Sequence, residues 1–193
     1  MGAKQDAEIV AFASAQDWQR WLAKNHASSP GIWLRFFKKG SGVGSVTHDE
    51  ALEVALCYGW IDGQLKKHDA QSWLHQFAPR RTRSLWSKRN CNLVERLTKS
   101  RRMRAAGLKQ VEAAKADGRW ERAYDSPGKV TVPEDFLALL SRNEKAKKFF
   151  ETLNRVNTYS IVWRLQTAVK PETRAKRMQA ILDMLEAGKK FHE

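Results

Sequence analysis

The sequence predicts an α+β fold: a small three-stranded sheet in β-α-β-β order with packed helices, followed by a helical C-terminal half. Three observations carry this. Residues 31–39 are rich in β-formers and alternate imperfectly, and residues 60–67 and 71–78 read as two further strands joined by a tight connection at 68–70. Between the first strand and this pair, Thr47-His48-Asp49-Glu50 has capping-box spacing and opens a helical pattern. Beyond Pro79, apolar residues recur at helical spacing to the end of the chain.

Taken in order, residues 9–12 are apolar but short, and Ser14 precedes a helix on which Trp18, Trp21 and Leu22 share a face. Residues 26–31 form a loop, the first strand follows, and Gly40-Ser41-Gly42-Val43-Gly44-Ser45 is a flexible connection. The helix from Thr47 carries Ala51, Leu52, Ala55, Leu56 and Tyr58 inward, and Gly59 is placed as the left-handed residue that ends it. After the strand pair, Ser84 or Ser87 caps a segment bearing Leu93, Val94 and Leu97, and an Ala-rich helix over 103–116 stops at Gly118. Residues 125–129 are a loop; Pro133, Asn143, Asn154 and Pro171 mark the starts of four more helices. The expected organisation is an α+β part over residues 1–83 and a helical part over 84–193, packed as one unit.

A chain of 193 residues buries a real core without disulfides or metal. Its net charge of +14 and pI near 10 favour anionic partners, while serving solubility as well. Cys57 and Cys91 read as buried thiols of a reducing compartment, no apolar run is long enough to span a bilayer, and no signal core opens the chain, so a cytoplasmic location is expected.

Two constellations point to anions. Pro79-Arg80-Arg81 lies where the third strand hands over to a helix, so two guanidinium groups and free helix-start amides can meet there, with Trp60, Asp62, Trp86 and Asn90 completing a ligand site. The plainer alternative pairs Asp62 with Arg80 or Arg81 and buries both tryptophans. Residues 80–104 also hold ten Lys or Arg against Glu95 alone, and Lys88, Arg89, Arg96, Arg101, Arg102 and Arg104 form a candidate phosphate-gripping face for nucleic acid; the alternative is a solvated helix.

No catalytic signature is present: the sequence lacks G-x-S-x-G, H-E-x-x-H, a Walker loop and G-x-G-x-x-G, and no catalytic residue or cofactor is assigned. The five His and two Cys show no metal-ligand spacing, so no metal site is expected. Cys57, with His48, His68 or His75 as base, is the one nucleophile worth naming; at the C-terminal end of its helix the dipole raises its pKa and favours a packing role.

Three boxes, Ala55-Leu56-Cys57-Tyr58-Gly59-Trp60-Ile61-Asp62-Gly63, then Pro79-Arg80-Arg81 with Ser84, Trp86-Ser87 and Asn90, then Gly118-Arg119-Trp120 with Ala123-Tyr124, resemble the YdeI/OmpD-associated, or bacteriocin-protection, family. Trp18, Trp21-Leu22, Trp33-Leu34, Lys38-Lys39 and Glu172-Thr173-Arg174 extend the likeness over nearly the whole chain, with Tyr58 where Phe is usual. The resemblance implies a part in tolerance of bacteriocins or antimicrobial peptides and an envelope-stress partner; it assigns no activity. The leading reading is a basic anion-binding protein with a phosphate-bearing ligand, the second a nucleic-acid-binding protein, the third an enzyme on a small anionic substrate around Asp62 and Arg80.

Overall fold

A computed structural model describes residues 7–128 and 130–193. The chain is α+β, and it divides into two compact units. One runs to Ser84 and resumes over Asn90–Gly118; the other comprises Leu85–Arg89 and Arg119–Glu193.

The first unit is built on a sheet of order β1-β2-β4-β3, with β1 Ile9–Ala11, β2 Ile32–Phe37, β3 Trp60–Lys67 and β4 Ser72–Pro79. The expected sheet of three strands is therefore corrected to four. The added strand, β1, pairs in parallel with Trp33, Leu34 and Arg35. Its three residues are too few to show a period, so only the partner reveals it as a strand.

Antiparallel register places Ile32, Leu34 and Phe36 opposite Phe77, His75 and Trp73, all on one face. Helices α1 (Ala15–Asn25) and α2 (His48–Cys57) cover that face. Trp18 of α1 is fully buried: its ring lies 5.8 Å from that of Phe77 and 6.1 Å from that of Trp60, and its Nε1 donates to Ala51 O of α2 at 3.0 Å. On the opposite face Lys66 stands 4.1 Å over the Trp33 ring.

The capping box forms as its spacing predicts: Thr47 Oγ1 accepts from Glu50 N–H, and the Glu50 carboxylate accepts from Thr47 N–H at 2.9 Å. That backbone bond holds the Glu50 carboxyl below its usual range. At the other end Gly59 has φ 75°, and a Cβ there would stand 2.9 Å from Ala106 O.

Helix α3 (Lys88–Lys99) leads through a turn into α4 (Ala105–Ala116). Arg102 N–H donates to Leu97 O and Arg101 N–H to Thr98 O, the paired bonds of a Schellman ending. The left-handed residue of that ending, where glycine is usual, is Arg101 with φ 55°. Helix α4 then returns against the end of α2, with Arg104 N–H bonded to Cys57 O at 3.1 Å.

The second unit contains α5 (Glu134–Leu140), α6 (Glu144–Glu151), α7 (Arg155–Gln166) and α8 (Pro171–Glu186). Asn143 and Asn154 cap α6 and α7 through their side chains, and Pro171 opens α8. Phe136, Leu140, Ala146, Ile161, Leu165, Ile181, Leu182 and Leu185 form one apolar core. Its rim is tied by Arg174, which grips Asp135 at 2.7 Å and donates to Leu165 O at 2.8 Å.

Candidate functional site

Two places in the first unit gather chemistry-bearing side chains. The first sits where the N-terminus of α2 meets the sheet. Asp62 pairs with Phe77, and a bulge between Asp62 and Leu65 shifts the register so that Leu65, not Gln64, opposes His75. Bulges re-aim side chains; here Asp62 and His75 share the face toward α2, whose first residue is His48. The result is a three-residue cluster: His48 Nε2 lies 3.2 Å and His75 Nε2 3.8 Å from the same Asp62 oxygen, Oδ2. The two imidazoles stack at 4.7 Å and 15°. His75 Nε2 is also 3.2 Å from Gly63 O, while its buried Nδ1 has no hydrogen-bond partner among the described residues.

Burial opposes ionisation of Asp62, yet the hydrogen bond from His48 and the charge of both imidazoles hold its carboxyl below the usual range. Burial and the neighbouring His48 push His75 below the usual imidazole value, with the Asp62 charge offsetting only part of this. His48 also lines a cavity of about 460 Å³ walled by residues 37–47 and Trp73, so the cluster borders open space.

The second place is a smaller pocket, about 120 Å³, lined by Gln19, Val54, Cys57, Tyr58, Arg101, Arg102 and Arg104. The α3–α4 turn brings the three arginines to the end of α2. Arg102 donates to Glu53 at 2.7 Å, and Arg96 pairs with the other oxygen of the same carboxylate. Burial pushes the Cys57 thiol up, against the opposing pull of Arg102 and Arg104. Among the described residues, no histidine acts on it. Folded chain treated with iodoacetamide at neutral pH should therefore be modified at Cys57 far more slowly than urea-unfolded chain, read by mass spectrometry. Cys57→Ala should cost about 1 kcal/mol as a small truncation; fast alkylation of the folded chain would instead make this thiol a reacting group.

The residues expected at the strand–helix handover have distinct surroundings. Trp60 is buried among Trp18 and Trp21 and donates through Nε1 to His26 O at 3.0 Å. Asp62 belongs to the histidine cluster. Arg80 is buried and its N–H donates to Gly59 O; Arg81 is exposed and closes a turn with Ser84, whose Oγ accepts its N–H at 3.0 Å. Trp86 is buried against Trp120 at 4.9 Å within the second unit, and Asn90 is buried in α3. On the basic stretch, Arg89, Arg96, Arg101, Arg102 and Arg104 are exposed, and Lys88 binds Asp125 at 2.7 Å.

Sequence reasoning missed the joint placement of His48, Asp62 and His75, having read no metal-ligand spacing among the histidines and cysteines. Their separations along the chain match no ligand motif; antiparallel pairing and a helix start assemble them. The available signal was strand alternation, which places His75 on the face of Phe77.

This is an α+β chain with a basic pocket and a histidine–carboxylate cluster, both on its first unit. The chain belongs to the domain family of unknown function DUF8412, whose pattern matches residues 10–110, just over half of its 193 residues. Residues 129–188 match the family described as bacteriocin-protection, YdeI or OmpD-associated, which supports the resemblance to that family over a stretch that holds Glu172-Thr173-Arg174 and none of the three boxes. Searches of curated proteins and of solved structures find no match. Among the described residues, no helix is long and apolar enough to cross a membrane.

Proposed function

We propose that this chain is a cytoplasmic anion-binding protein that takes one phosphate-sized group in the pocket of Arg101, Arg102 and Arg104. The observation that carries the reading is that three arginines, with Tyr58 and Gln19, line one small cavity. Its volume, about 120 Å³, is well below the range of drug-sized sites, so an oxyanion or a single phosphate of a larger molecule suits it. A second feature agrees. Arg101 holds a left-handed backbone that costs an ordinary residue about 1 kcal/mol and glycine nothing, so its side chain is retained at a cost to stability. The two buried free thiols suit a reducing compartment. The family description, bacteriocin protection, makes tolerance of such peptides the proposed physiological setting and an envelope component the proposed partner.

Arg101→Gly separates binding from folding because the two effects have opposite signs. The variant should gain about 0.5–1 kcal/mol in urea unfolding while its affinity for inorganic phosphate or pyrophosphate falls. Unchanged affinity in the stabilised variant would remove the pocket from the reading.

Nucleic acid is the second reading, favoured by the exposure of Arg96, Arg101, Arg102 and Arg104 along the end of α3 and the turn. It demands that affinity for a short DNA duplex fall steeply with salt, by about 0.9 in log–log slope per phosphate neutralised. A flat response with intact phosphate binding leaves the small-anion reading alone. Arg80 and Arg81 remain a further anion candidate on the same proposal, probed by Arg81→Lys, which keeps charge and loses the planar fork.

A further inference from the structure

We propose that His48, Asp62 and His75 form a binding site for one divalent first-row transition ion of the Zn²⁺ type. Their ligand atoms all lie within 4.8 Å of one another. Metal–ligand bonds of about 2.0–2.2 Å put the donors of a tetrahedral site roughly 3.3 Å apart. The observed separations, 3.2 Å from His48 Nε2 and 3.8 Å from His75 Nε2 to Asp62 Oδ2, bracket that value. Gly63 O, 3.2 Å from His75 Nε2, stands at the same kind of spacing and supplies a fourth donor from the bulge.

The donor chemistry selects the ion. Two imidazole nitrogens and one carboxylate suit Zn²⁺, Co²⁺, Ni²⁺ or Cu²⁺, whereas Ca²⁺ and Mg²⁺ want six or more oxygens. Both Nε2 atoms converge on a single carboxylate oxygen, and a cation between them satisfies all three at once. At the outer edge Asp49 Oδ1 lies 3.6 Å from His48 Nδ1, the kind of outer carboxylate that orients a ligating imidazole. With Nε2 on the ion the His75 proton sits on Nδ1, which has no acceptor among the described residues, so the metal bond itself must outweigh the Nε2–H tautomer that Gly63 O favours in its absence. The cavity beside His48 supplies an entry path and room for water on the ion. This site is separate from the arginine pocket, and its test does not depend on anion binding.

The test is equilibrium dialysis of the full chain, carrying no histidine tag, against Zn²⁺, with bound metal measured by atomic emission. One equivalent is expected. His48→Ala, whose side chain is partly exposed, should lower affinity at least about ten-fold, as should His75→Gln and Asp62→Asn, while His68→Ala, outside the cluster, should leave it unchanged. Circular dichroism of each variant establishes that it is folded; for any that is not, Co²⁺ added to the native chain gives the readout, since imidazole ligation in a low-coordinate site produces intense visible bands. Substoichiometric Zn²⁺ binding, absence of Co²⁺ bands, or binding that survives His48→Ala and vanishes with His68→Ala would each overturn the proposal.

Discussion

Gly107→Ala should destabilise the chain by about 3 kcal/mol or more, although the same exchange in an ordinary helix interior stabilises by about 0.5–1 kcal/mol. A Cβ at this position would stand 2.3 Å from Cys57 O, 2.7 Å from Leu56 O and 2.8 Å from Cys57 C. All three are backbone atoms at the end of α2, and no rotamer change relieves the clash. Helix α4 must back away, which also strains the bond from Arg104 N–H to Cys57 O. Against a total stability of about 5–15 kcal/mol, such a loss moves the urea midpoint well to lower concentration. Gly44→Ala is the control: among the described residues nothing lies within 4 Å of where its methyl would sit, and its φ is not positive, so it should stay within about 0.5 kcal/mol of the parent. Equal midpoints for the two variants would mean that the α2–α4 contact is looser than described.

The second large effect is Trp18→Ala, expected to cost about 4 kcal/mol, near the middle of the range for Trp truncations. Trp18 has no exposed surface, touches the rings of Phe12, Trp21, Trp60 and Phe77, and bonds α2 through Ala51 O. One side chain thus joins α1, α2 and two strands. For a chain of this length the cost corresponds to a fall in Tm of about 8–16 °C, read by scanning calorimetry. Trp18→Phe keeps much of the ring contact and loses the hydrogen bond, so it should fall between the parent and Trp18→Ala. A drop of a degree or two for Trp18→Ala would show that the aromatic cluster repacks around the gap.

Local chemistry is legible in the sequence wherever one short segment decides the outcome. Thr47 and Glu50 make their box, Ser14, Asn143 and Asn154 cap their helices through side-chain oxygens, and β3 begins at Trp60 and ends at Lys67. What escapes depends on partners distant in the chain. The three residues of β1 are a strand only because Trp33, Leu34 and Arg35 accept them. Gly107 looks like one small residue in an Ala-rich helix until the end of α2 is set against it. His48 and His75 meet through a bulge and a strand register, neither of which has a periodic signature. The raised pKa of Cys57 follows from its place in α2, but its charged neighbours arrive from the α3–α4 turn, far along the chain.

The interrupted path of the first unit has a consequence for synthesis. All four strands have been translated by Ser84, yet the unit is complete only at Gly118. At about 5–20 residues per second that interval lasts about 2–7 s on the ribosome. During it, the end of α2 that α4 later covers, with Leu56 and Cys57, faces water on a nascent chain already holding a nearly finished sheet. A ribosome stalled before Gly118 has left its exit tunnel therefore holds a sheet with an uncovered apolar flank, the kind of surface that chaperones engage, while one stalled after that emergence has released the unit to close.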